Sequence, residues 1–239
     1  MNKYRRRMTA ARVLAASAWL LCAADPARGE VTTTWGSWAQ LVGEGDLSFA
    51  DERLADVRLW LELQGRWNED WQHFYQGVVR AAVGYSLSDR ATIWVGYNFV
   101  PTQLAGKPYF AQQDVFPAFR YLLPTEFGAF MFRTMVDINF IRGDDVRYKP
   151  RQLIRFLHPF AFEERLSLVV WDEVFVRLNS TEWGGPAGFD QNRAFVGFGW
   201  SFSPELRAEL GYMNQYVEDR DLLNETDNNL IMGSLFFAW

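Results

Sequence analysis

The chain closes on Leu230-Ile-Met-Gly-Ser-Leu-Phe-Phe-Ala-Trp239. Alternate residues Ile231, Gly233, Leu235, Phe237 and Trp239 line one apolar face, and a sustained two-residue period is that of a strand. A Trp at the end of such a strand is badly placed in water, where nothing covers the ring. It is well placed where an outward face meets lipid and the ring sits at the membrane interface. If that is the setting, the same period must recur upstream.

It recurs from residue 57 onward. Val57, Leu59, Leu61 and Leu63 alternate with Arg58, Glu62, Gln64 and Arg66. Val79, Ala81, Val83 and Tyr85 oppose Arg80, Gly84 and Ser86, and Ile93, Val95, Tyr97 and Phe99 oppose Thr92, Gly96 and Asn98. The scheme continues over 114–123, 130–140, 147–157, 166–178, 193–202 and 206–216. Each run is ~10 residues long, the length of a tilted membrane-spanning strand. With the terminal stretch this predicts an all-β, antiparallel transmembrane β-barrel of about ten strands. Trp35 to Val42 reads as an eleventh, which would leave the two ends of the barrel on opposite sides, so ten is favoured and twelve remains the alternative. Tight turns at Ser86–Arg90 and Ser201–Glu205 alternate with longer connections at 100–112, 141–147, 179–190 and 217–229. Short periplasmic turns and longer outer loops are the expected arrangement. Tyr85, Tyr121, Trp200 and Trp239 then form an inner aromatic belt, with Trp67, Phe99 and Tyr216 nearer the outer one. Leu235, Phe237 and Trp239 would serve as the insertion signal presented to the barrel-assembly machinery.

The N-terminus reads as a targeting segment. Lys3, Arg5, Arg6, Arg7 and Arg12 precede a short apolar core, Val13 to Cys22, and small residues follow. The run is too short to span a bilayer, so residues 1–29 are expected to be a signal peptide cleaved after Ala24 or Gly29. Residues 30–56 form an N-terminal segment with one short strand, and 57–239 the barrel domain. Residues 1–29 hold six cations against Asp25, so their removal takes the formal charge from −5 to −10. An acidic chain is a poor partner for nucleic acid. Cys22 is the only cysteine, which excludes disulfides from the rest of the chain.

Alternation alone also fits a soluble, lipocalin-like periplasmic barrel with its apolar face inward. Composition separates the two. Aromatics reach 17%, and the polar face mixes Arg with Gly, Ala and Ser, as suits a cramped lumen better than a solvated surface.

Three stretches are distinctive: Val170-Trp-Asp-Glu-Val-Phe-Val-Arg-Leu-Asn179, Phe189-Asp-Gln-Asn-Arg-Ala-Phe-Val-Gly-Phe-Gly199 and Leu210-Gly-Tyr-Met-Asn-Gln-Tyr216. Together with Leu61-Glu-Leu-Gln-Gly-Arg66 and Ile93-Trp-Val-Gly-Tyr97, the chain resembles a bacterial family of outer-membrane β-barrels known only as a domain of unknown function. The resemblance covers essentially all of the chain after the signal segment. It implies a barrel in the Gram-negative outer membrane, surrounded by lipid and lipopolysaccharide, and implies nothing about mechanism.

The chemistry must therefore come from the lumen. Arg80, Arg120, Arg133 and Arg155 are candidate contacts for an anion, because planar guanidinium groups suit phosphate and carboxylate. The plainer reading is that they pair across strands and plug a narrow barrel. The densest polar cluster is Glu62, Arg66, Asp172, Glu173, Gln191, Asn192, Arg193, Asn214 and Gln215, either a binding site or a network that fixes strand register. Asp172 and Glu173 are adjacent, so a regular strand turns one of them to lipid unless a bulge turns both inward. Catalysis finds little support. His73 near Asp70 and His158 before Pro159 are the only histidines, neither in a nucleophile motif, and no metal-ligand spacing or cofactor fingerprint appears. A barrel hydrolase using His73 is the alternative. The expectation is a small channel, binding or structural envelope protein with an Arg-rich lumen suited to anions; its oligomeric state is not legible.

Overall fold

A computed structural model describes residues 31–68, 73–104, 106–141, 143–218 and 225–239. Eleven strands form one closed barrel: β1 (Val31–Asp46), β2 (Val57–Asn68), β3 (His73–Ser86), β4 (Ala91–Thr102), β5 (Phe110–Thr125), β6 (Gly128–Phe140), β7 (Arg147–Phe160), β8 (Glu163–Arg177), β9 (Gly188–Ser201), β10 (Leu206–Glu218) and β11 (Glu225–Ala238). Neighbours in sequence pair antiparallel from β1 through to β11. The last pairing is different. β1 closes the barrel against β11 in parallel, with Val31 opposite Glu225 and Glu44 opposite Ala238.

The β-barrel class is as expected, and the count is eleven rather than the favoured ten. The stretch seen as a short strand at Trp35–Val42 is a full barrel strand, so the barrel begins at Val31 instead of residue 57. An odd number of strands does leave the ends of the barrel on opposite rims, and the parallel seam is how the sheet accommodates this. Trp239 secures the seam at one rim: its backbone N–H donates to Glu44 O at 3.3 Å and its Nε1–H to Asp46 O at 3.1 Å.

Two rims follow from the connections. The turn rim carries 86–91 and 201–206, which share one hydrogen-bond pattern. Leu87 N donates to Ala91 O and Phe202 N to Leu206 O, both at 2.8 Å, and the Ser88 and Ser203 hydroxyls each accept from two backbone N–H groups. Side-chain acceptors of this kind satisfy the donors of a tight turn. The turn rim also carries the ten-residue connection 47–56, with a 3-10 turn at Glu52–Leu54, and the loop rim carries the other longer connections, including 178–187. That loop folds back over the rim, with Asn179 Nδ2 on Val146 O at 2.8 Å and Trp183 Nε1 on Asp145 O at 2.7 Å.

The two faces of the sheet are chemically opposite. Val95 and Leu210, each 63% exposed, stand among Leu61, Val83, Phe119, Val170, Phe198 and Phe237 on an apolar outer wall. The interior buries Glu62, Arg80, Asp114, Asp137, Lys149, Arg151, Glu173, Arg177 and Glu209. A water-soluble barrel has the reverse arrangement. The interior also holds two apolar clusters: Trp60, Ala82, Trp94, Phe116, Ala118 and Met135, and Trp38, Val169, Phe195, Met213, Leu230 and Met232. Glycine makes room for the rings. A Cβ on Gly96 would lie 2.3 Å from the Phe116 ring, and one on Gly211 2.6 Å from that of Phe195. Small residues on the inner face are therefore sockets for aromatics as much as a sign of a narrow lumen.

Candidate functional site

The lumen encloses a cavity of about 860 Å³. Among the described residues, nine cations and seven carboxylates line it. Inward-pointing residues come from alternate positions of every strand, and two β-bulges add to them. At Arg66/Trp67 the register on β3 passes from Gln76 to Phe74, and at Phe175/Val176 the register on β9 passes from Gln191 to Phe189. Each leaves an extra residue, Tyr75 and Asp190, and both join Gln76 and Gln191 in lining the cavity. Bulges of this kind re-aim side chains without ending the strand.

Most lumen cations are neutralised. Arg80 reaches Glu62 at 2.7 Å, Arg133 reaches Glu173 at 3.0 Å, and Arg151 lies 3.5 Å from both Asp137 and Glu173. Lys149 and Arg177 share Asp190 at 3.4 and 3.8 Å. Towards the turn rim two ion pairs cross the lumen between strands that are not neighbours. Arg120 on β5 meets Glu44 on β1 at 2.5 Å, while Arg155 on β7 meets Glu209 on β10. Glu44 also takes Arg58 at 3.2 Å, and Glu209 takes Arg207 at 2.8 Å. Four of the anion contacts suggested by the sequence, Arg80, Arg120, Arg133 and Arg155, thus already have carboxylate partners. They cross-link the barrel in ion pairs while still lining the cavity.

Three arginines are held differently. Arg66 donates to Gln64 Oε1 from Nη2 at 2.7 Å, and its Nη1 also contacts Gln76 Oε1. Arg193 donates to Gln191 Oε1 at 3.3 Å. Arg147 donates to Asn139 Oδ1 at 2.9 Å and Gln112 Oε1 at 3.4 Å. Among the described residues none of the three has a carboxylate within ion-pair distance. Neutral amide oxygens position a guanidinium without cancelling its charge. Aromatic faces support them as well: Arg66 and Arg193 lie over the Trp38 ring, 3.8 and 4.9 Å from its centre, and Arg147 lies 4.2 Å from that of Trp183. Arg193 Nε and Trp38 Nε1 are buried without a hydrogen-bond partner, a condition that costs about 1–3 kcal/mol per group.

The polar cluster read from the sequence divides between the two faces. Glu62, Arg66, Glu173, Gln191, Arg193 and Gln215 line the cavity. Asp172, Asn192 and Asn214 are on the outer face instead. There Asn192 Nδ2 donates to Asp172 Oδ2 at 2.9 Å, and Asn214 bonds Asp227. β8 is regular at Asp172–Glu173, so alternation separates that pair; the bulge falls at Asp190–Gln191 instead. Leu235, Phe237 and Trp239 are exposed on the outer wall. His158 contacts Phe127 O and stacks on Phe156. His73 begins β3, and Asp70, suggested as its partner, lies outside the described residues. Sequence reasoning missed Trp38, Trp60, Trp94 and Phe116 as lumen residues, although each stands at an even spacing from inward polar neighbours.

This barrel belongs to a family of unknown function. Residues 35–225 match the family described as "Protein of unknown function (DUF2490)", and the chain is a member of it. An uncharacterized protein of Methylorubrum extorquens is 28% identical over 183 residues, covering 75% of this chain and 80% of that protein. No solved structure matches the chain.

Proposed function

We propose that this protein resides in a Gram-negative outer membrane and that its lumen takes up small anions from the loop side. The single observation that carries the location is the inverted polarity of the wall, apolar outside and charged within. Burial of apolar area drives folding in water, so such a wall is favourable only against lipid. The short turns would face the periplasm, and lipid and lipopolysaccharide would surround the wall. Leu235, Phe237 and Trp239 would present the chain to the assembly machinery after an N-terminal signal peptide is removed. The role rests on the uneven charge of the lumen: cations held by amides lie towards the loop rim, while ion pairs cross the lumen towards the turn rim. It requires no catalytic group.

Separated membranes test the location. The protein is expected in the outer-membrane fraction, and its gel mobility in detergent should change on boiling, since a closed barrel resists detergent until heated. Recovery as a soluble periplasmic protein with no heat-dependent shift would overturn the reading.

A further inference from the structure

We propose that Arg66 and Arg193, gathered over Trp38, form a specific binding site for a small oxyanion of charge −2 or more. The proposal rests on the anion-binding reading of the lumen and gives it a place and a valence. All other cations lining the cavity, Arg147 apart, pair directly with a carboxylate, whereas among the described residues these two donate their side-chain hydrogen bonds to Gln64, Gln76 and Gln191 and rest on aromatic rings. They approach from β2 and β9, on opposite sides of the seam, and converge on a side chain of β1. Two like charges converging at one ring repel each other, and that repulsion persists until an anion lies between or beside them.

The surroundings suit an oxyanion. The bulges lie on the strand pairs that carry the two arginines: one turns Tyr75 into the cavity, and the other turns Asp190 inward, where it meets Lys149 and Arg177 rather than Arg193. Gln215 donates to Gln191 Oε1 at 2.6 Å, and Asn228 donates to Gln215 Oε1 at 3.5 Å, so a chain of neutral amides backs Arg193. Arg147, also held by amides and set at the start of β7 on the loop rim, is a third guanidinium with no carboxylate in direct contact among the described residues. A singly charged anion would leave most of this positive potential unmet. Planar guanidinium forks match both phosphate and carboxylate oxygens, so the shared chemistry is a multivalent oxyanion.

Calorimetry on the full chain, extracted in detergent and shown to be folded by its heat-dependent mobility, tests the site with pyrophosphate, citrate and acetate. Pyrophosphate or citrate should bind and acetate should bind far more weakly. Pyrophosphate alone would assign a phosphoanion, citrate alone a polycarboxylate, and both a site that reads charge. Arg193→Gln should weaken binding roughly tenfold to a hundredfold, Arg66→Gln/Arg193→Gln should abolish it, and Arg193→Lys should retain most of it. Arg165→Gln, which alters an exposed pair with Glu163 outside the lumen, should leave it unchanged. A folded barrel that binds neither multivalent probe, or binds them equally well in the double variant, would overturn the site while leaving the membrane location intact. Loss of the heat shift in the unaltered chain would instead overturn the location.

Discussion

Val95→Arg is expected to destabilise the barrel in a bilayer markedly. Val95 lies within β4, faces outward between Val83 and Pro117, and is 63% exposed. In lipid, an arginine on the outer wall costs ~2–4 kcal/mol near the bilayer midplane and less towards the interfaces. Against a net stability of order 5–15 kcal/mol for a whole domain, that is a large fraction. In water the same change is a surface substitution of a half-exposed residue, worth at most about 0.5 kcal/mol. Urea unfolding in vesicles, followed by the heat-shifted band, should show the folded fraction collapse at lower denaturant than for Val95→Leu. Equal midpoints for the two variants would mean that the outer wall does not meet hydrocarbon.

The second large effect concerns the crossed ion pairs at the turn rim. Glu209, buried on β10, holds both Arg155 and Arg207. Glu209→Gln leaves two guanidinium groups in the lumen without a counter-charge, and breaking a buried pair in this way typically costs about 3–5 kcal/mol. The variant should therefore unfold at clearly lower urea. Because the Arg155 pair also spans the lumen between β7 and β10, its loss should raise conductance in planar bilayers and shift it towards anions. Adding Arg155→Gln should restore part of the stability while keeping the pore open, since one stranded charge is then gone. Glu163→Gln, at an exposed pair, should change neither property. A destabilised Glu209→Gln barrel with unaltered conductance would remove the idea of a turn-rim closure and leave the ion pairs as simple cross-links.

Much of this architecture was legible in the sequence because alternation is a local signal. The outward residues Leu61, Val83, Ile93, Val95, Leu210 and Phe237 were assigned correctly by period alone, as were the inward charges Glu62, Arg80, Arg133 and Arg155. Two things were hidden. A reading that sorts residues into apolar and polar sends every large ring to lipid, so Trp60, Trp94, Phe116 and Phe195 dropped out of the inner face even though their positions are in phase with it. Their sockets lie on neighbouring strands, and sequence does not display that complementarity. Asn192 and Asn214 failed in the opposite direction: polar side chains were sent inward, yet on the outer wall they satisfy each neighbouring carboxylate, Asp172 and Asp227. Pairing between β1 and β11 was also out of reach, because those segments are nearly 200 positions apart and no turn chemistry joins them. The difference between Arg66 or Arg193 and the other arginines was equally hidden: their glutamine partners Gln64 and Gln191 stand two residues along the same strand, but whether a carboxylate also reaches the guanidinium depends on the other strands.

The parallel seam sets a limit on how this barrel can be rewired. In a barrel with an even number of strands, the first and last strands run antiparallel and a short turn can link their ends. Here Val31 and Trp239 lie at opposite rims. Strands of 12–16 residues rise ~3.3 Å per residue along a tilted path, so a covalent bridge must run the full height of the wall. Even fully extended at ~3.3–3.6 Å per residue, that bridge needs about a dozen residues. A circular permutant opened at 86–91 would consequently fold only with a long connector threaded over lipid or through the lumen. Reporter domains fused before Val31 and after Trp239 would emerge at opposite rims of the barrel.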